Sequence, residues 1–200
     1  VIFGDLMGAY DVALDTQLIA GTGANGQHPG IRGITGNIDV AYTDGTPTGA
    51  EFLVALYDAI QQVATSRFRR ADTLVMHDRR AAWLASQTST GTPILQQGAL
   101  FQAFGGQDSG FAGTIAGLPV VTDPNIGVLY GAGTDEDEVY VVRRADLVLR
   151  EGPMRTRVLS EVLSGTLAVR LQAFAYSYFE SERYPNAVAV IAGTGLANPW

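Results

Sequence analysis

The hydrophobic period of this chain changes along its length, from helical steps near the start to alternation near the end. In residues 3–19, Phe3, Leu6, Met7, Tyr10, Leu14 and Leu18 recur at three- and four-residue steps, and Asp5, Asp11 and Asp15 fall largely on the other side. That spacing predicts an amphipathic helix, stopped by Gly21. In residues 166–179, Leu167, Val169, Leu171, Ala173 and Ala175 share one face, with Arg170, Gln172, Phe174 and Tyr176 on the other. That alternation predicts one long strand whose apolar face is buried and whose arginine lies on the open side.

A small α/β layer lies between these two regimes. Ile38 to Tyr42 reads as a short strand. Thr48 and Glu51 have capping-box spacing and open a helix over about 49–66, with Phe52, Leu56, Ala59, Ile60 and Val63 as its buried stripe. Residues 73–77 form a short apolar strand, after which Asp78 is placed to cap a helix over about 79–87 carrying Trp83 and Leu84. Strands are expected at 117–123, 138–143, 145–150, 153–162 and 187–192. The order predicts an α+β chain of two lobes that leaves the first and returns to it.

Composition narrows the function. Hydrophobic residues make up 46% of the 200 and charged residues 16%, so the chain is globular rather than disordered. The 24 glycines and 8 prolines imply many turns. The long Gly-, Gln- and Ser-rich stretch at 88–116 is expected to be functional or mobile. A formal net charge of −7 weighs against tight nucleic-acid binding and against docking on an anionic membrane. No apolar run reaches the roughly 20 residues that span a bilayer, and no signal peptide is visible. Cysteine is absent, which removes disulfides and thiolate chemistry. All 13 basic residues are arginines, which removes Schiff-base and phosphate-loop lysines. Val1 is not an initiator methionine and the first residues already read as helix, so the chain reads as a fragment or a processed product.

The motifs that could carry chemistry are thin. Gly21, Gly23 and Gly26 match a dinucleotide-binding spacing, but a helix precedes them where that motif needs a strand. His28 and His77 are the only histidines, too few for a zinc site without cysteine; His77 is expected to hydrogen-bond at its strand-to-helix junction. Asp135, Glu136, Asp137 and Glu138 are dense enough to suggest calcium but lack the spacing of a calcium loop, and read as a solvated turn before a strand. Arg67, Arg69 and Arg70 close the second helix, where cations suit the dipole. No Gly-x-Ser-x-Gly elbow is present. The expectation is no catalytic residue, no metal and no cofactor.

Three stretches together resemble the tailed-bacteriophage major capsid family, whose fold is shared with encapsulin compartments. The first, "DLMGAYDVALDTQLIAGTGANGQHPGI", is similar to the family's spine helix and the turn after it. The second, "DAIQQVATSRFRRADTLVMHDRRAAWLAS", is similar to its helix, strand and following helix. The third is "IAGLPVVTDPNI" followed by "GTLAVRLQAFAYSYFESERYPNAVAVIAGTG", similar to its Gly-Leu-Pro-Val strand, long strand and short final strand. The order and spacing cover nearly the whole chain.

The resemblance implies a peripheral domain of spine helix (1–33) and long strands (147–200), with the last strand able to rejoin an axial domain at 34–146 built as a small mixed sheet flanked by helices. It places an axial loop near 98–113, where Leu100, Phe101, Phe104 and Phe111 would pack against neighbours around a symmetry axis. Arg155, Arg157 and Arg170 are the other candidate inter-subunit contacts. It also implies an N-terminal arm and hairpin loop preceding Val1. Covalent crosslinking lacks both a lysine and the acceptor asparagine, since "SGTLAV" stands where the latter would sit. The implied partners are further copies in pentamers and hexamers, with scaffolding, portal or decoration proteins and DNA packaged without sequence-specific contacts, and no membrane. The implied location is the virion, after assembly in the host cytoplasm. Competing readings are an encapsulin-type compartment and, more distantly, a nucleotide-binding enzyme using the Gly21–Gly26 loop.

Overall fold

The computed structural model describes residues 2–89, 91–96, 111–159, 165 and 169–200. Its elements are helices α1 (Ile2–Ala20), α2 (Gly49–Arg67) and α3 (Asp78–Ser86) and twelve short strands. The strands are β1 (Ile38–Ala41), β2 (Thr73–Met76), β3 (Thr88–Ser89), β4 (Thr92–Pro93), β5 (Phe111–Ile115) and β6 (Leu118–Thr122), followed by β7 (Val139–Val142), β8 (Val148–Glu151), β9 (Arg155–Leu159), β10 (Arg170–Phe174), β11 (Ser177–Glu180) and β12 (Val188–Ala192). The fold is α+β, as expected.

A six-stranded mixed sheet in the order β1-β12-β7-β2-β6-β5 organises the molecule. β12 runs parallel to β1 and antiparallel to β7, so a strand from the end of the sequence lies between two earlier ones. β7 and β12 are buried along their length because both sheet faces are covered. On one face, Val139, Val141, Ala189 and Ile191 join Phe52, Leu56, Ala59 and Val63 of α2 and Trp83 and Leu84 of α3. On the other, Tyr140, Val142, Val188 and Val190 meet Ile19, Ile31, Ile34, Ile126 and Phe179.

Local chemistry explains the helices. Thr48 and Glu51 form the expected capping box at the start of α2. The expected stripe of α2 is buried except Ile60, which is half-buried against the same core. The helix ends at Phe68, held in the left-handed region at φ 57°. At α3 the expectation needs correcting. Asp78 is the first helical residue, and His77 is the cap, its Nδ1 accepting from the Arg79 N–H at 3.0 Å. The predicted junction role of His77 is thus what it does. α1 forms as expected, but only Ile19 is buried; Phe3, Met7 and Val12 stay exposed.

The tail differs most from the expectation. The predicted strand 166–179 is interrupted at Ala175 and Tyr176: β10 pairs with β9 and β11 with β8. The two ladders follow one another along the same two chain segments, forming a two-stranded ribbon. Opposite the interruption lies Pro153, which has no N–H for the ladder, and the Gly152 N–H bonds to the Tyr176 carbonyl at 2.8 Å. The predicted buried face is not buried either. Val169 is 55% exposed, Val158 across from Leu171 is 58% exposed, and no residue of β9 or β10 is fully buried. Leu167 lies outside the described residues.

The turn after α1 depends on close backbone approach. Gly30 has ordinary extended angles, yet a Cβ there would lie 2.5 Å from the Gly21 nitrogen and 2.6 Å from the Ile19 carbonyl oxygen. Those backbone atoms cannot swing aside as a side-chain end could. Gly30→Ala is therefore expected to cost about 1–3 kcal/mol, read as a lowered urea midpoint, whereas Gly26→Ala, with open space around it, should show only the mild strain of its positive φ.

Candidate functional site

The densest polar cluster sits where α3 begins. Its first turn carries Arg79 and Arg80, which face Asp137 just before β7. Arg80 Nε donates to Asp137 Oδ1 at 2.9 Å and Arg79 Nε to Oδ2 at 2.7 Å. Asp137 and Arg80 are both fully buried. Arg80 also donates to the carbonyls of Leu196 and Ala197, and Arg79 to that of Asp135. One carboxylate thereby ties α3, the entry to β7 and the segment after β12 together.

Next to it lies a second cluster. Arg32 Nε reaches both oxygens of Glu138, at 3.0 and 3.1 Å, and its guanidinium stacks 4.0 Å from the Tyr130 ring centre. The Tyr140 hydroxyl donates to Glu138 Oε2 at 2.7 Å. Burial pushes the Tyr140 phenol far above its ordinary value of 10.0, and the neighbouring Glu138 carboxylate pushes it further. Tyr42, buried beside α2, is pushed up to about 12, first by burial and then by the charges of Glu51 and Asp44.

The acidic run is therefore not the solvated turn that its composition predicts. Glu136, Asp137 and Glu138 are buried, and two of the three are paired with arginine. Asp137 and Glu138 spend their oxygens on guanidinium groups. Among the described residues no group of three or more His, Asp or Glu could hold a metal ion. Arg32, Tyr130, Glu136 and Glu138 line a cleft of about 390 Å³, in which Arg32 is locked to Glu138 and stacked on Tyr130.

The other sequence candidates are scattered. The Gly21–Gly30 loop closes on itself through a Thr22–Pro29 bridge, with a helix before it, so it presents no phosphate cradle. His28 Nε2 lies 2.8 Å from Ser177 Oγ, a contact that sequence reasoning missed because 149 residues separate the pair. Among the described residues no carboxylate bonds to His28, so this pair lacks the orienting acid of a hydrolytic triad. Arg67 ends α2 and bonds to Asp146 at 2.8 Å, while Arg69 and Arg70 lie beyond the helix.

Arg155, Arg157 and Arg170 fall on one face of the ribbon. Arg157 stands directly across from Gln172, Arg155 from Phe174 and Arg170 from Leu159. Arg157 Nε donates to Gln172 Oε1 at 2.8 Å, and its guanidinium lies 5.5 Å from the Phe174 ring centre. Leu100, Phe101, Phe104 and the Phe111 side chain lie outside the described residues.

Two outcomes follow from these clusters. Asp137→Ala strips both arginines of their counter-charge and leaves Arg80 buried and unpaired, which should cost about 3–5 kcal/mol in a urea melt. Tyr42 and Tyr140 stay neutral when folded and ionise when unfolded, so their raised values give stability that is fully present below pH 10 and lost as pH rises beyond it. Melting temperatures measured across that range should fall, and Tyr140→Phe should make the fall shallower.

Comparison with known proteins now bears on what this arrangement belongs to. The fold is similar to that of an encapsulin, in the holo-SrpI encapsulin complex from Synechococcus elongatus PCC 7942 (TM-score 0.63, 14% identity, covering 99% of this chain and 65% of that one). It is similar to a Gordonia phage Cozz chain (TM-score 0.62, 16% identity, 96% and 62% covered) and to the capsid of a native GTA particle (TM-score 0.62, 13% identity, 96% and 70% covered). The chain spans less than two thirds of the length of the first two. No curated protein matches it. The description "Phage capsid family" matches residues 2–173, and over that span, which takes in every element from α1 to β9 and most of β10, the chain belongs to the phage capsid family.

Proposed function

We propose that this chain is a shell subunit, the major capsid protein whose copies form the pentamers and hexamers of an icosahedral head around double-stranded DNA. The observation that carries the reading is the family match over residues 2–173. The surface supports it. A two-stranded ribbon is marginal in water on its own, and β9 and β10 leave both their faces without a buried residue. A neighbouring copy in a shell is a natural cover. The role is structural, not enzymatic: the buried ionisable groups hold the fold together.

In this reading residues 1–33 and 147–200 form the peripheral domain and 34–146 the axial domain. The last strand, β12, completes the sheet on the axial side. Leu100, Phe101, Phe104 and Phe111 pack around the symmetry axis, and Arg155, Arg157 and Arg170 meet a neighbour. With a net charge of −7, the chain contacts packaged DNA weakly and without sequence preference. Assembly takes place in the host cytoplasm, with scaffolding, portal or decoration proteins, and the product is the virion.

The likeness to the SrpI encapsulin favours a second reading, a cellular compartment built on the same fold. Electron microscopy of particles from the full-length protein, with and without nuclease, separates the two. Uniform shells holding nuclease-resistant double-stranded DNA are expected. Shells that hold protein and no DNA would support the compartment, and the absence of any closed particle would overturn both.

A further inference from the structure

The arginines of this chain divide into two sets. Arg32, Arg67, Arg79, Arg80, Arg143, Arg144 and Arg183 each have a carboxylate partner within the chain. Arg69, Arg70, Arg150, Arg155, Arg157 and Arg170 have none among the described residues, and of these Arg155, Arg157 and Arg170 share one face of the ribbon. This face is not a floppy surface. Gln172 and Phe174 hold Arg157 from across the ladder, which lowers the entropy lost when its guanidinium meets a partner.

The complementary feature is the outer face of α1. Its inner side, through Tyr10, Leu14 and Gln17, packs near Ala175, Tyr176 and Ser177, and the Tyr10 hydroxyl donates to Glu151 at 2.7 Å. Asp11 and Asp15, about one turn apart, are left exposed without an arginine among the described residues, and Asp5 is exposed roughly 120° round the helix from Asp11. Asp15 holds its proton more readily than an ordinary aspartate, first through partial burial and then through the charges of Asp123 and Asp11. A cation placed there would relieve that repulsion.

The spacings agree. Arg155, Arg157 and the level of Arg170 follow one another at two-residue steps of roughly 6.6 Å along the ladder. Asp15 and Asp11 are separated by roughly 6 Å along the helix axis, and Asp5 lies roughly 9 Å further on. The ribbon root and the inner face of α1 already touch within one chain, so the two outer faces cannot also meet there.

We propose that the arginine face of the β9–β10 ribbon of one copy lies along the acidic outer face of α1 in a second copy, with Arg155 and Arg157 opposite Asp15 and Asp11. The inference rests on the shell reading for its biological setting but not for its test. The two patches differ, so the contact is heterologous, and repeated it closes into a ring when the rotation allows. The contact selects its register by charge: like charges brought together by a slipped register repel.

The experiment is a charge swap in the full-length protein. Arg155→Glu with Arg157→Glu, or Asp11→Arg with Asp15→Arg, should each abolish particles while leaving the melting temperature of free subunits nearly unchanged, because all four residues are exposed. Carrying all four substitutions together should restore particles. Normal particles from either double variant, or loss without rescue in the quadruple variant, would overturn the contact while leaving the shell reading intact. A second measurement covers failure of the shell reading itself. This chain has no cysteine, so Asp11→Cys and Arg157→Cys proteins can be mixed and oxidised. A disulfide-linked pair of unlike copies is expected even where no closed particle forms, and its absence would reject the contact.

Discussion

The buried carboxylate of Asp137 is the point on which three distant segments depend. It neutralises one of the two guanidinium charges brought inside by α3, and it lies beside the carbonyls of the 196–197 segment that accept from Arg80. A buried ion pair contributes little net stability by itself, because desolvation offsets most of the attraction. Its effect is on geometry. A guanidinium in an apolar interior must find its acceptors, and only one arrangement of α3, β7 and the last segment supplies them. The hydrophobic faces of the sheet would tolerate small slips; the fork of Arg80 would not.

That fixed centre contrasts with the periphery. The six-stranded sheet has both faces covered and its central strands are mostly buried. The ribbon and most of α1 have apolar and charged side chains in the open. A shell subunit of the kind proposed, which folds first and associates afterwards, would need this division. Its interior has to be complete without a neighbour, and its contact surfaces have to remain unsatisfied until one arrives.

Legibility in the sequence followed locality. The capping box at Thr48 and Glu51 and the stripe on α2 were readable because each rests on residues three or four apart. The central strands were readable as apolar runs. The ribbon was readable as alternation, but Pro153 and Gly152, which interrupt it, lie on the opposite strand from the pattern that predicted it. The acidic run was misread for the same reason. Asp137 looks solvated in its own neighbourhood, and its partners stand 57 and 58 residues away. His77 and Asp78 could each cap a helix; the choice fell to whichever residue kept extended angles, a property of the preceding strand and not of the side chain. The surfaces proposed to meet neighbours were named with the help of family likeness, since no local pattern distinguishes an arginine that meets water from one that meets another chain.

The place of β12 in the sheet has a consequence for biosynthesis. β1 and β7 are both hydrogen-bonded to it and not to each other, so the sheet is in two pieces until residue 192 has left the ribosome. Contacts between residues so far apart in sequence form slowly. A nascent chain that has not yet reached β12 has α1 and the ribbon made but no finished body to carry them. Association between neighbouring nascent chains on one message, where it needs that body, is thereby delayed until β12 is in place.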